Sequence, residues 1–338
     1  MSNDSTSLKG PHARRRFTSH LLKVETLLNE AQGLAADGIP GEIIFKGGLR
    51  TPMFMLEALG RVYRHQDLDN DLFERIRTES KIIEDALGLV DYWAAISSKA
   101  VTWSLPAGAQ QLAKARYLEA CGRVWAWVES QNWITSRYHP DIELLGDRLN
   151  RKLKNVDWLT PKRESKTLRK WLVNELHDIH EHMEELDLQD IEHGLHEARR
   201  EVRWISIYFT AVAGGFVLDT AAPPPENWTQ YLTQEIVSNP YNQLPAPEND
   251  DEPLKVPAPL LYALSYLIDE LGKIKDKAMW TETAGHLLHL TGEKANLQEL
   301  LQSDYLEAET ATSRGSELLQ QVLIEDQLLL RLANGIER

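Results

Sequence analysis

An all-α protein is the fold class this sequence predicts, and three observations carry the expectation. Apolar residues recur at spacings of three and four along most of the 338 residues. No segment shows sustained alternation of β-branched residues, so a sheet is not expected. Helix punctuation is present too: Pro52 and Pro161 each follow a threonine, the order of an N-cap and a first-turn proline.

The elements follow in chain order. Phe17, Leu21, Val24, Leu28 and Ala31 mark a first amphipathic helix. Thr51 as N-cap and Pro52 at the first helical position open a second, striped by Met53, Leu56, Gly60 and Tyr63. Leu72, Ile76, Ile83, Leu87, Val90 and Ala94 draw a longer one. Cys121, Trp125 and Trp127 sit in an apolar helical context and read as packing residues. Thr160 and Pro161 start a helix with the stripe Leu168, Leu172, Leu176, Ile179 and Met183. Leu195, Ala198, Val202, Ile205 and Phe209 form the apolar face of the next. The uncharged run Trp204–Leu218 reads as buried core helix, because it falls short of the ~20 residues that span a bilayer. Leu260, Leu264, Leu267 and Leu271, then Leu319, Leu323 and Leu330, complete the helical stripes.

Length predicts two domains, each able to bury its own core. The expected division is 1–40 as tail and first helix, 41–160 as a first helical repeat, and 161–338 as a second. A proline-rich insert over 222–259 interrupts the latter. Nine of the fifteen prolines lie between Pro223 and Pro259, beside the acidic run Glu248–Glu252, which predicts a surface excursion or mobile insert. A net charge of −14 argues against bulk attraction to nucleic acid or anionic membranes, and leaves an acidic surface open to a protein partner. The single cysteine excludes an intrachain disulfide and fits a reducing compartment. The first seventeen residues have no apolar core of a signal peptide and read as a tail, so a cytoplasmic location is expected.

One helix concentrates the chemistry. His196, Arg199, Arg200 and Arg203 fall within an arc of about 80–100°, opposite the apolar face. Guanidinium groups in a row suit the repeating charge of a phosphate-rich polyanion through charge-assisted hydrogen bonds. An internal salt-bridge network with acids of facing helices explains the same row equally well. A weak internal repeat accompanies it: IIEDALGLVDYW at 82–93 echoes LIDELGKIKDKAMW at 267–280. Upstream of these, Lys46 and Arg50 echo the spacing of Arg199 and Arg203.

Other features are weaker. Residues 151–170 carry a local excess of six positive charges, which reads as a solvated face. His177, His180, Glu181 and Glu184 have a spacing that could chelate a transition metal on one helix, with no second helix to complete the set. No metal or other cofactor is therefore expected. His177-Asp178 is also the dipeptide of HD-type metal phosphohydrolases, with His139 and Asp276 as nominal partners. Nucleophile-elbow, P-loop and dinucleotide motifs are absent from the sequence.

The order His196, Arg199, Arg203, then a long helix with Leu271-Gly272 and Asp276, resembles the conserved-histidine α-helical domain, or CHAD, family. The resemblance runs from about residue 40 onward. It implies two antiparallel helical bundles related by a pseudo-two-fold, with basic helices that bind inorganic polyphosphate without catalysis. Carried over, His196, Arg199 and Arg203 stand at the basic positions, flanked by Lys273 and Lys275. Lys46 and Arg50 hold the matching places in the first half, where Ile43 replaces the histidine. Two other readings stay open: an HD-like phosphohydrolase, and a helical interaction scaffold without polyanion binding.

Overall fold

The computed structural model describes residues 11–36, 38–66, 68–135, 141–186, 194–226, 228–247 and 252–337, apart from the side chain of Glu184. Among the described residues the chain is mostly helical, with two short strands. The chain divides into two units. One holds Met1–Ser97 and Ala113–Leu159, the other Ser98–Leu112 and Thr160–Arg338.

The first unit is built from α1 (His12–Gly33), α2 (Pro40–Lys46), α3 (Arg50–Tyr63), most of α4 (Asn70–Thr102) and α5 (Ala107–Ser130), and α6 (Leu145–Leu153). Every apolar residue of the α1 stripe is buried, as are Met53, Leu56 and Tyr63 of α3 and Leu72 through Val90 of the α4 stripe. At the centre, Phe17, Tyr63, Phe73 and Trp158 form a knot of rings with centroids 5.3 to 5.9 Å apart. Such tilted and edge-on pairs each add about 0.5–1.5 kcal/mol beyond their burial. Arg16 lies inside this core and donates from Nη1 to the Tyr63 hydroxyl at 2.5 Å.

Gly60 sets how closely α3 and α4 approach. A Cβ there would stand 2.8 Å from both the Arg77 nitrogen and the Phe73 carbonyl oxygen. Backbone atoms cannot swing aside, so any side chain forces the helices apart. Thr51 is not the cap of α3: the helix starts at Arg50, and Leu49 stands at the cap position with no side-chain hydrogen bond. The turn through Gly48 closes two residues earlier than the Thr-Pro pair suggests, and Pro52 remains inside the first turn, where its missing N–H costs nothing. Trp127 also departs from expectation, since it is 48 % exposed rather than packed.

The second unit contains α7 (Pro161–Glu185), α8 (His196–Ala211), α9 (Gln234–Val237), α10 (Ala258–Thr291), α11 (Leu297–Leu301), α12 (Ala308–Leu319) and α13 (Leu328–Glu337). α10 is its spine and packs against α8, α12 and α13. Residues 98–112 belong here through two polar anchors. Lys99 pairs with Asp304 at 2.6 Å with its Nζ 3.9 Å from the centre of the Trp280 ring. Glu293 accepts from the backbone nitrogens of Gly108 and Ala109 at the start of α5.

Three expectations fail here: a single helix over Trp204–Leu218, the absence of a sheet, and an unbroken Leu319–Leu330 stripe. The Trp204–Leu218 run is not one helix: α8 stops at Ala211, Gly214 turns the chain at φ +79°, and β1 (Phe216–Asp219) follows. That strand pairs in parallel with β2 (Leu254–Pro257), Phe216 beside Leu254 and Asp219 beside Pro257. Four residues are too few to show an alternating pattern, and parallel partners lie far apart in sequence. The proline-rich segment is tied down where it is described. Trp228, Tyr231, Ile236 and Asn242 are buried, and the Tyr231 hydroxyl donates to Asp326 at 2.6 Å. Finally, the stripe Leu319–Leu330 is broken. α12 widens into a π-helical turn over Gln320–Glu325, Gln327 takes φ +53°, and α13 starts anew. The break re-aims the chain so that Leu323, Leu328 and Leu329 are all buried.

Candidate functional site

α8 is amphipathic as its sequence dictates: Leu195, Ala198, Val202, Ile205 and Phe209 are all buried at 1 % exposure or less. Burial of this face turns the basic row away from the α8 core contacts. Trp204 and Tyr208 stack at 5.8 Å, and Trp171 of α7 meets Tyr208 edge-on at 4.9 Å.

Arg199 is half-buried and reaches across α10. Its Nε donates to the carbonyl oxygen of Ile268 at 3.1 Å. The guanidinium lies over Gly272, where a Cβ would stand 2.9 Å from Nη2 and 3.1 Å from Nε. The glycine is what admits the arginine. Among the described residues no ion pair reaches Arg199, although Asp276 and Asp269 act on it from a distance. Burial pulls its pKa down, and those two acids oppose the shift.

Around it stand His196 and Lys275. His196 is half-buried, and its Nδ1 has no hydrogen-bond partner among the described residues. Burial, then Lys275, Arg199 and Arg200, pull its pKa below the usual histidine value, which favours the neutral ring; Glu197 acts the other way. Lys275 is mostly buried and pairs with its neighbour Asp276 at 2.9 Å. Arg203 is half-buried and already engaged. Arg200 is exposed and paired with Glu197 of its own helix.

The remaining predicted cations are also spent on acids. Lys273 bonds Asp269 at 2.7 Å and Glu270 at 2.8 Å, which raises its pKa. Lys46 pairs with Glu42 at 2.7 Å. Arg50 is held twice, by Glu84 through Nε at 2.9 Å and by Asp91 through Nη1 at 2.6 Å. Burial pushes the Glu84 carboxyl above its usual range, with Arg50 opposing.

A recurrence emerges that sequence spacing had misregistered. Arg50 lies over Gly88, whose added Cβ would stand 3.0 Å from Nη2, just as Arg199 lies over Gly272. The glycine of the Leu-Gly pair in each of the two echoes therefore receives one arginine, and Arg50 rather than Lys46 occupies the place of Arg199. Glycine was visible in both echoes, but nothing in a one-dimensional pattern linked it to an arginine on another helix.

The weaker candidates do not converge. His177 and Glu181 are exposed and His180 half-buried on α7, and the Glu184 side chain lies outside the described residues. Among the described residues no group of three His, Cys, Asp or Glu side chains is placed to hold a metal ion. His139 also lies outside them, and Asp276 faces Lys275. Lys162, Arg163, Lys166, Arg169 and Lys170 are exposed, as a solvated face should be. Cys121 is a buried free thiol. Among the described residues no helix is long and apolar enough to cross a membrane.

No protein-family model, curated protein or solved structure matches this chain.

Proposed function

We propose that the second unit is a non-catalytic helical module that binds a phosphate-rich polyanion, with inorganic polyphosphate as the ligand to test. The binding face is that of α8 around Arg199, with His196 and Lys275 beside it. One observation carries the reading: Arg199 is a half-buried guanidinium whose described hydrogen bond goes to a main-chain carbonyl and not to a carboxylate. Its remaining N–H groups form a fork of the kind that pairs with phosphate oxygens. The resemblance to CHAD domains points the same way. Compared with the expectation from sequence, the face is smaller, because Lys46, Arg50, Arg200 and Lys273 are neutralised by the protein's own acids.

Isothermal titration with long-chain polyphosphate at low and physiological salt tests the proposal. Binding at low salt that weakens steeply as salt rises is expected, since phosphate contacts release counterions. No heat at either salt sinks it.

That same neutralisation favours a second reading, a helical scaffold whose acidic surface, at net −14, meets a basic partner. Under it, Arg199→Glu destabilises the fold and polyphosphate gives no heat.

A further inference from the structure

We infer that the place beside Arg199 and Lys275 takes a single phosphoryl oxyanion, and that Ile268 and Lys275 are the residues that leave it open. The inference rests on the polyanion reading above and narrows it to one subsite and its specificity-determining side chains.

The argument comes from the two arginine–glycine contacts. In each, an arginine from a shorter helix lies across the glycine of a Leu-Gly pair on a long helix. The residue four before the glycine is Glu84 in one case and Ile268 in the other. The residue three after it is Asp91 in one case and Lys275 in the other. In the first unit both positions deliver a carboxylate to the guanidinium, one to Nε and one to Nη1. Those two carboxylates show which chemistry completes an arginine held in this way: acidic oxygens on two of its edges.

In the second unit both carboxylates are missing at the equivalent positions. Nε turns to the main-chain oxygen of Ile268, and the Asp91 position becomes a cation. An oxyanion from outside then meets Arg199 and Lys275 together, with the partnerless His196 Nδ1 in the same electrostatic neighbourhood. The internal competitor is Asp276, which holds Lys275 at 2.9 Å and must release it. Asp269 is already engaged by Lys273.

Exchange of the side chains between the two places tests this, using the full chain and inorganic tripolyphosphate as probe in titration calorimetry at low salt. The double variant Ile268→Glu, Lys275→Asp supplies both carboxylates, and tripolyphosphate should then bind about tenfold more weakly or not at all. The converse variant Glu84→Ile, Asp91→Lys should raise the stoichiometry by about one ion per chain. Should either double variant fail to fold, judged by circular dichroism, Lys275→Asp alone carries the test, and a loss of about tenfold is again expected.

Unchanged tripolyphosphate affinity in the Lys275→Asp and Ile268→Glu, Lys275→Asp proteins overturns the inference. If long-chain polyphosphate still binds those variants as it binds the wild type, the polyanion reading survives and the subsite is wrong. If the wild type binds neither probe, both fall together.

Discussion

Arg50 and Arg199 occupy the same kind of place and have opposite electrostatic fates. Each is laid over a glycine so that a guanidinium can sit where a Cβ would otherwise stand. Arg50 is closed by Glu84 and Asp91; Arg199 touches a carbonyl and keeps donors to spare. The lesson is that a basic row on one helix does not by itself define an anion site. The residues on the facing helix decide, one turn before the glycine and one turn after it. There Glu84 and Asp91 each pair with Arg50, while Ile268 and Lys275 offer Arg199 no carboxylate.

The largest expected effect would break the first of these places at its support. Gly60→Ala sets a methyl group against two backbone atoms of α4 and should cost about 3 kcal/mol in denaturant unfolding. Wild-type stability would show that α3 and α4 are free to move apart, and that Arg50 does not depend on their close approach.

Next comes the pair of matched truncations. Arg50→Met strands the buried Glu84 and should cost about 2 kcal/mol, less than a fully buried pair because Arg50 is 28 % exposed. Arg199→Met removes one bond to a carbonyl and should stay within about 1 kcal/mol of wild type. Equal losses would erase the distinction between the two arginines.

The Arg50→Met penalty should also depend on pH. Burial raises the folded-state pKa of Glu84 above its unfolded value, so protonation favours the folded state. The relative stabilisation is present below the unfolded pKa and is lost as pH rises through the folded one. Removing Arg50 deepens that loss, so the penalty should be full near neutrality and shrink toward about pH 4. Unfolding curves at several pH values check it; a penalty independent of pH would mean that Glu84 is not the stranded group.

The smallest effect is a proton. In the free protein burial, Lys275, Arg199 and Arg200 hold His196 below its usual pKa, against Glu197. The neutral form is stabilised, and that contribution is lost as pH falls from the unfolded value through the lowered one. A bound oxyanion reverses the local balance, so the ligand should raise the His196 pKa and binding should take up a proton between the two values. Calorimetry in buffers of different ionisation enthalpy, or the imidazole NMR shift, reads this directly. No proton uptake would place the ligand away from His196.

Much of the architecture was legible in the chain. The stripes of α1, α4, α7, α8 and α10 follow from a 3.6-residue period, since one apolar face must be buried whatever it packs against. The faults lie at ends and joins. Thr51 lies inside the first turn of α3 rather than capping it, the Trp204–Leu218 run hid a turn at Gly214, and the Leu319–Leu330 stripe hid a π-helical turn. β1 and β2 escaped notice because each spans four residues and their pairing is non-local. At the candidate site the cations were visible, but their counter-charges were not. Lys273 with Asp269 is a within-helix pair that spacing could have revealed, whereas Glu84 with Arg50 joins two helices.

The chain alone determined that helices form and which face of each is apolar, because period and composition are local properties. Tertiary structure decided which arginine rests on which glycine and whether an acid answers it. That depends on atoms brought together from 34 or more positions apart in sequence, as with Arg50 and Glu84, and no local rule encodes it.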